Sequence, residues 1–145
     1  MMTAVKSPVD IQNDIVTEFQ SLTDWDARYK HIIGLGKQLP DFPEEHRTEQ
    51  NQVKGCQSTV WMHAFLEGDA VVVQADSDAM IVRGLIALLL RVYAHQPPDV
   101  ILATEPEFFH RLGMGDHISM QRSNGLFAMI KQIKLYAMVL KMQAQ

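Results

Sequence analysis

The stretch "STVWMHAFLEGDAVVVQADSDAM", residues 58–80, decides the fold, because the hydrophobic periodicity changes within it. From Ser58 to Leu66, Val60, Met62, Ala64 and Leu66 alternate with Thr59, Trp61, His63 and Phe65. A period of two in β-branched and aromatic residues predicts a strand, here one apolar enough to be largely covered on both faces. Gly68-Asp69 supplies a turn, and "AVVVQA" at 70–75 is the returning strand of a hairpin. Asp76, Ser77 and Asp78 then offer three helix caps in succession. The segment from there to about Ala94 is apolar nearly all round, which predicts a helix at the centre of the core.

Helical spacing governs the chain on either side. Ser7-Pro8 reads as a cap followed by proline at the first helical position, and Ile11, Ile15, Phe19 and Leu22 extend a helix over about 8–21. Thr23 is the expected cap of a second helix. Its inward face is Trp25, Tyr29, Ile32 and Ile33, and Gly34, Gly36 and Pro40 end it. The polar, proline-rich 40–50 segment is a surface connection. Pro97-Pro98 stops the central helix and opens a short one at 98–103. A capping box from Thr104 to Glu107 starts another, which ends at Gly113. Leu126, Met129, Ile130, Ile133, Ala137 and Leu140 share one face of a C-terminal helix over "SNGLFAMIKQIKLYAMVLK", 123–141. The expectation is one α+β domain over 1–145, with helices against a small antiparallel sheet.

Composition narrows the function. Hydrophobic residues at 47% and charged residues at 21% suit a folded chain, and a net charge of −4 without a basic stripe argues against nucleic acid. The N-terminus has no signal-peptide pattern, and the longest apolar run, "GLIALLL" at 84–90, is far short of the roughly 20 residues of a membrane span. The one cysteine, Cys56, makes neither an internal disulfide nor a structural zinc site, which favours a reducing cytoplasm. His31, His46, His63, His95, His110 and His117 show no ligand spacing, so no metal or other cofactor is expected.

Cys56 carries two readings. Free cysteine is often a buried, inert hydrophobe. Against that, Lys54-Gly55 puts it at a turn, Lys54 favours its thiolate, and Val60 and Trp61 suggest an apolar wall beside it. A cysteine hydrolase needs an aligned base, and the nearest in sequence, His63, lies up to roughly 23 Å away along an extended strand. A carrier of sulfane sulfur, by contrast, is best served by a solitary thiol, since a neighbouring one would form a disulfide and expel sulfide.

"GCQSTVW" (55–61), "DSDAMIVRGLIALLL" (76–90) and "RSNGL" (122–126) resemble the SufE family, with support from "WDARYKHIIGLGKQLP" (25–40) and "QN" (50–51). The resemblance spans about 9–140, and residues 1–8 are expected to fray. "CQS" and "DSD" look closer to SufE than to its paralogue CsdE. The resemblance implies a fold similar to IscU, with Cys56 at a loop tip on a sheet of about three antiparallel strands. It implies a sulfur acceptor serving a pyridoxal-phosphate cysteine desulfurase (SufS or CsdA), whose turnover it stimulates, and feeding the SufBCD scaffold or another acceptor. No independent turnover is expected, although a cysteine-dependent enzyme with its own small substrate stays open, as does the choice between monomer and homodimer. Carried over, Cys56 bears the persulfide, Gly55, Gln57 and Ser58 shape its loop, Asp78 lies near that loop at a helix start, and Arg122 precedes the last helix near the partner-facing surface. At rest the thiol is expected in an apolar pocket under its loop, with a raised pKa.

Overall fold

The computed structural model describes residues 6–144; residues 1–5, part of the segment expected to fray, lie outside them. Helix α1 (Pro8–Gln20) begins where its cap and proline predict, with Ser7 Oγ accepting from the Asp10 amide. Helix α2 (Trp25–Gly36) is capped by Asp24 rather than Thr23, through a 2.8 Å bond from the Ala27 amide to the carboxylate. The 40–50 connection carries two short 3-10 turns, Glu44–His46 and Glu49–Asn51, and buries Phe42.

Strands β1 (Val60–Glu67) and β2 (Ala70–Ser77) form the antiparallel hairpin, with Val60 opposite Ser77 and Glu67 opposite Ala70. Among the described residues no third strand forms: isolated bridges join Gln52 to Trp61 and Val71 to Gln96, so the sheet has two strands instead of about three. On the inner face Val60, Met62 and Ala64 meet Val71, Val73 and Ala75, all buried. The outer face is covered in part, less than the largely two-sided cover expected: Trp61 and His63 are half-buried and Phe65 is exposed. The 42–48 segment reaches that face, where His46 stacks on His63 at 3.8 Å and the Arg47 guanidinium lies 5.0 Å from the Trp61 ring centre.

Helix α3 (Met80–Tyr93) is the predicted central helix, and α2 crosses it at glycines. A Cβ on Gly36 would stand 2.6 Å from the Gly84 amide nitrogen, and one on Gly84 would overlap the Ile32 carbonyl oxygen. Gly36 is thus a contact residue as much as a helix terminator. The α3 cap position is Ala79, and no side chain caps it, so the three polar residues before it serve other ends. Asp76 binds Arg47 at 2.6 Å and faces Arg83 at 3.1 Å, while Ser77 and Asp78 hold Thr59.

Helices α4 (Pro98–Ala103) and α5 (Glu107–Arg111) follow. The capping box does not form: α5 starts after Pro106 without a side-chain cap, and Thr104 Oγ1 instead donates to the Val100 carbonyl. Helix α6 (Met120–Gln143) begins three residues earlier than expected, capped by Ser119, and therefore includes Arg122 in its first turn. Helices α3 and α6 pack on the sheet, α1 packs on α3 and α5, and α4 packs on α6.

Candidate functional site

Residues 54–59 bridge the turn at Lys54-Gly55 to the start of β1, and the loop is closed at its base. The Val53 amide donates to the Val60 carbonyl at 2.8 Å. Asp78 Oδ1 accepts from the Thr59 amide at 3.2 Å, and Ser77 Oγ donates to the Thr59 carbonyl at 2.8 Å. The tip has far less support. Among the described residues its one side-chain hydrogen bond is the weak contact from Cys56 Sγ to the Gly125 carbonyl at 3.5 Å.

Gly55 adopts φ +92°, a left-handed conformation that disfavours any side chain, and sits against Ala128 of α6. This backbone reversal turns Cys56 inward. The thiol faces a cavity of about 80 Å³ lined by Gln57 and Ser58 from the loop, Val82 and Leu85 from α3, and Gln121, Arg122, Gly125 and Met129 from α6. Its apolar wall comes from α3 and α6, not from Trp61 and Val60. Burial pushes the Cys56 thiol up, because the thiolate loses hydration there. Exposed Lys54 does not counter that shift, so the local expectation of a favoured thiolate fails.

The structure thus brings Cys56, Gln57, Ser58 and Arg122 to one cavity, with Gly55 as the turn and Asp78 as the brace of the loop base. Arg122 is exposed and donates to the Tyr29 hydroxyl at 3.2 Å, which places it at the cavity mouth between α2 and α6. Gly125, Val82, Leu85 and Met129 were not foreseen as site residues. Gly125 stands inside the "RSNGL" motif, but which face of α6 meets the loop is not written in that motif.

No base stands in hydrogen-bond contact with Sγ among the described residues. His63 is stacked on His46 across the outer face of β1, and its pKa is lowered, chiefly by burial and then by the neighbouring His46. No group of three His, Cys, Asp or Glu is placed to hold a metal ion among the described residues, and no helix there is long and apolar enough to cross a membrane.

Fold and site together define a small α+β protein organised around one half-buried loop thiol. The chain belongs to the SufE family: the family profile described as "Fe-S metabolism associated domain" matches residues 13–137. Its place in iron–sulfur metabolism follows from that membership. The chain is 42% identical over 132 residues to an uncharacterized SufE-like protein of Rhizobium etli, covering 88% of this chain and 89% of the relative. A second uncharacterized SufE-like protein, from Rhizobium meliloti, is 39% identical over 127 residues, covering 84% and 91%. The fold is similar to the solution structure of a hypothetical protein from Thermus thermophilus, with TM-score 0.76 at 21% identity, over 91% of this chain and 96% of that one.

Proposed function

We propose that this protein carries sulfur as a persulfide on Cys56 in a reducing compartment, the cytoplasm. The Cys56 thiolate attacks the outer sulfur of the persulfide on a SufS-like cysteine desulfurase; a new S–S bond forms, and the desulfurase cysteine leaves as its thiolate. The pyridoxal phosphate that generates the donor persulfide belongs to the partner. Cys56–S–SH then passes its outer sulfur to an acceptor thiol of the SufBCD scaffold, and Cys56 returns to the thiolate.

One observation carries this reading: a solitary thiol, half-buried at rest, on a loop fixed at its base and barely held at its tip. Burial shields the sulfur from adventitious thiols. The weak tip lets a docking partner shift the loop outward by making contacts available only in the open form. Gly55, Gln57 and Ser58 give the loop its shape, Asp78 anchors it, and Arg122 offers a guanidinium at the mouth for a partner carboxylate or the persulfide anion. An independent cysteine hydrolase is disfavoured because no base reaches Sγ among the described residues.

The decisive measurement is intact mass after incubation with a SufS-like desulfurase and free cysteine. The wild-type chain gains one sulfur, about 32 Da, which a reductant removes. Cys56→Ser binds the desulfurase, gains no sulfur and fails to stimulate turnover. Full stimulation by Cys56→Ser overturns the assignment.

A further inference from the structure

We infer that the solvent side of α6, where it runs past the Cys56 loop, is a docking groove for an acidic, apolar-faced segment of the desulfurase that loads Cys56. The inference rests on the sulfur-carrier reading and names the surface by which the donor is held.

Helix α6 is apolar on two opposite sides. Leu126, Ile130, Ile133 and Ala137 bury one side in the core. On the other, Leu135, Met138, Val139 and Met142 recur at helical spacing and are 51%, 49%, 43% and 68% exposed. An ordinary surface helix is polar on its solvent side, so this one carries more apolar surface than its own fold covers. Contiguous exposed apolar surface marks an interaction site, and methionine adapts its shape to whatever covers it.

The stripe reaches the thiol loop. Ala128 lies on the same side of α6, and a Cβ built on Gly55 would stand 3.3 Å from its methyl. From that contact a groove of about 710 Å³ follows α6 past Lys131 and Leu135 to Met138, with Gln50, Gln52 and Lys54 as its opposite wall. Between Ala128 and Met138 the helix rises about 15 Å. One end of the groove is therefore the turn that carries Cys56, and a segment seated there holds its parent protein beside the thiol.

Charge selects the occupant. The chain has a net charge of −4, yet the groove is lined by Lys54, Lys131 and Lys134 and by no acid. Lys134 is paired with Glu105 at 3.3 Å. Lys54 and Lys131 make no ion pair among the described residues, whereas Lys6, Lys30 and Lys141 are each paired with an aspartate. At the mouth of the thiol cavity, Arg122 likewise meets a neutral partner, the Tyr29 hydroxyl. A cationic rim over an apolar floor complements a segment with acidic edges and an apolar face. A second copy of this chain fits poorly, because a two-fold interface here brings the same lysines together with no acid between them.

The test measures binding of the full chain to a SufS-like desulfurase as wild type, Lys131→Glu, Leu135→Glu and Lys37→Glu. All three positions are exposed. Lys37, at the end of α2, lies outside the groove and gives the same change in net charge as Lys131. Iodoacetamide alkylation of Cys56 checks that the loop is unaltered, and sedimentation measures self-association.

Lys131→Glu and Leu135→Glu are each expected to weaken binding about tenfold or more, and Lys37→Glu by less than about twofold, with alkylation within about twofold throughout. Wild-type affinity falls with added salt, and Lys131→Glu flattens that dependence. Groove variants that bind as tightly as wild type overturn the inference. So does a loss with Lys37→Glu as large as that with Lys131→Glu, which reports net charge alone. A wild-type dimer that Leu135→Glu dissociates, with desulfurase binding unchanged, gives the groove to a second copy and overturns it too. If one groove variant does not fold, the other decides. A wild-type chain that binds the desulfurase through the groove but gains no sulfur defeats the carrier reading and leaves the docking surface standing; one that does not bind defeats both.

Discussion

An exposed thiol ionises near pH 8.5, and at Cys56 burial raises that value by withdrawing hydration from the thiolate. The reactive fraction at neutral pH is correspondingly small while the loop is closed. Alkylation of the folded protein should therefore rise with pH along a curve displaced to higher pH than that of the chain unfolded in denaturant. Equal midpoints would show that the thiol is not sequestered. The sign carries to stability as well. The unfolded chain ionises Cys56 first as pH rises through the ordinary thiol range, so this contribution is complete below that range and lost above it. Asp78→Ala removes the acceptor for the Thr59 amide and should accelerate the same alkylation at fixed pH, by loosening the loop base.

Among the elements, the crossing of α2 and α3 is the least forgiving contact. Gly84→Ala places a methyl against the Ile32 carbonyl, a backbone atom with no rotamer to escape into. It should destabilise the protein by at least about 2 kcal/mol, as overpacking of a tight contact does. Gly34, two residues from the end of the same helix α2, has nothing within 4 Å of an added Cβ. Gly34→Ala should instead stabilise by up to about 1 kcal/mol through helix propensity. Denaturant unfolding of the two variants separates the readings, since propensity alone would make both substitutions stabilising. Periodicity identified both helices, but it assigned Gly34 and Gly36 only a role in ending α2.

At the scale of the whole molecule, Gln12 ties α1 to the connection before α5. Its side chain, in a residue 4% exposed, donates to the Glu105 carbonyl at 3.0 Å and accepts from the Phe108 amide at 2.8 Å. These partners are more than 90 residues away along the chain. Gln12→Ala leaves the buried Phe108 amide without its side-chain acceptor, while the Glu105 carbonyl keeps its bond from the Glu107 amide, and should cost about 1–3 kcal/mol in thermal or chemical unfolding. A loss below about 0.5 kcal/mol would mean that water replaces both bonds. In the sequence Gln12 is one polar residue on an amphipathic helix, with nothing to distinguish it from Asn13 or Gln20.

The sequence by itself determined the hairpin, the central helix and the α+β class, because a two-residue period and a 3.6-residue period are local consequences of backbone geometry. Its motifs also singled out Cys56 and its loop neighbours. Tertiary structure alone decided the rest. It turned the polar run Asp76-Ser77-Asp78 from helix caps into the brace of the loop base and the anchor of Arg47. It left one sheet face partly open, put isolated bridges in place of a third strand, and set Gly125 of α6 beneath the thiol. Each of these depends on which surfaces meet across long stretches of chain, and close packing of side chains fixes that only once the whole core has formed.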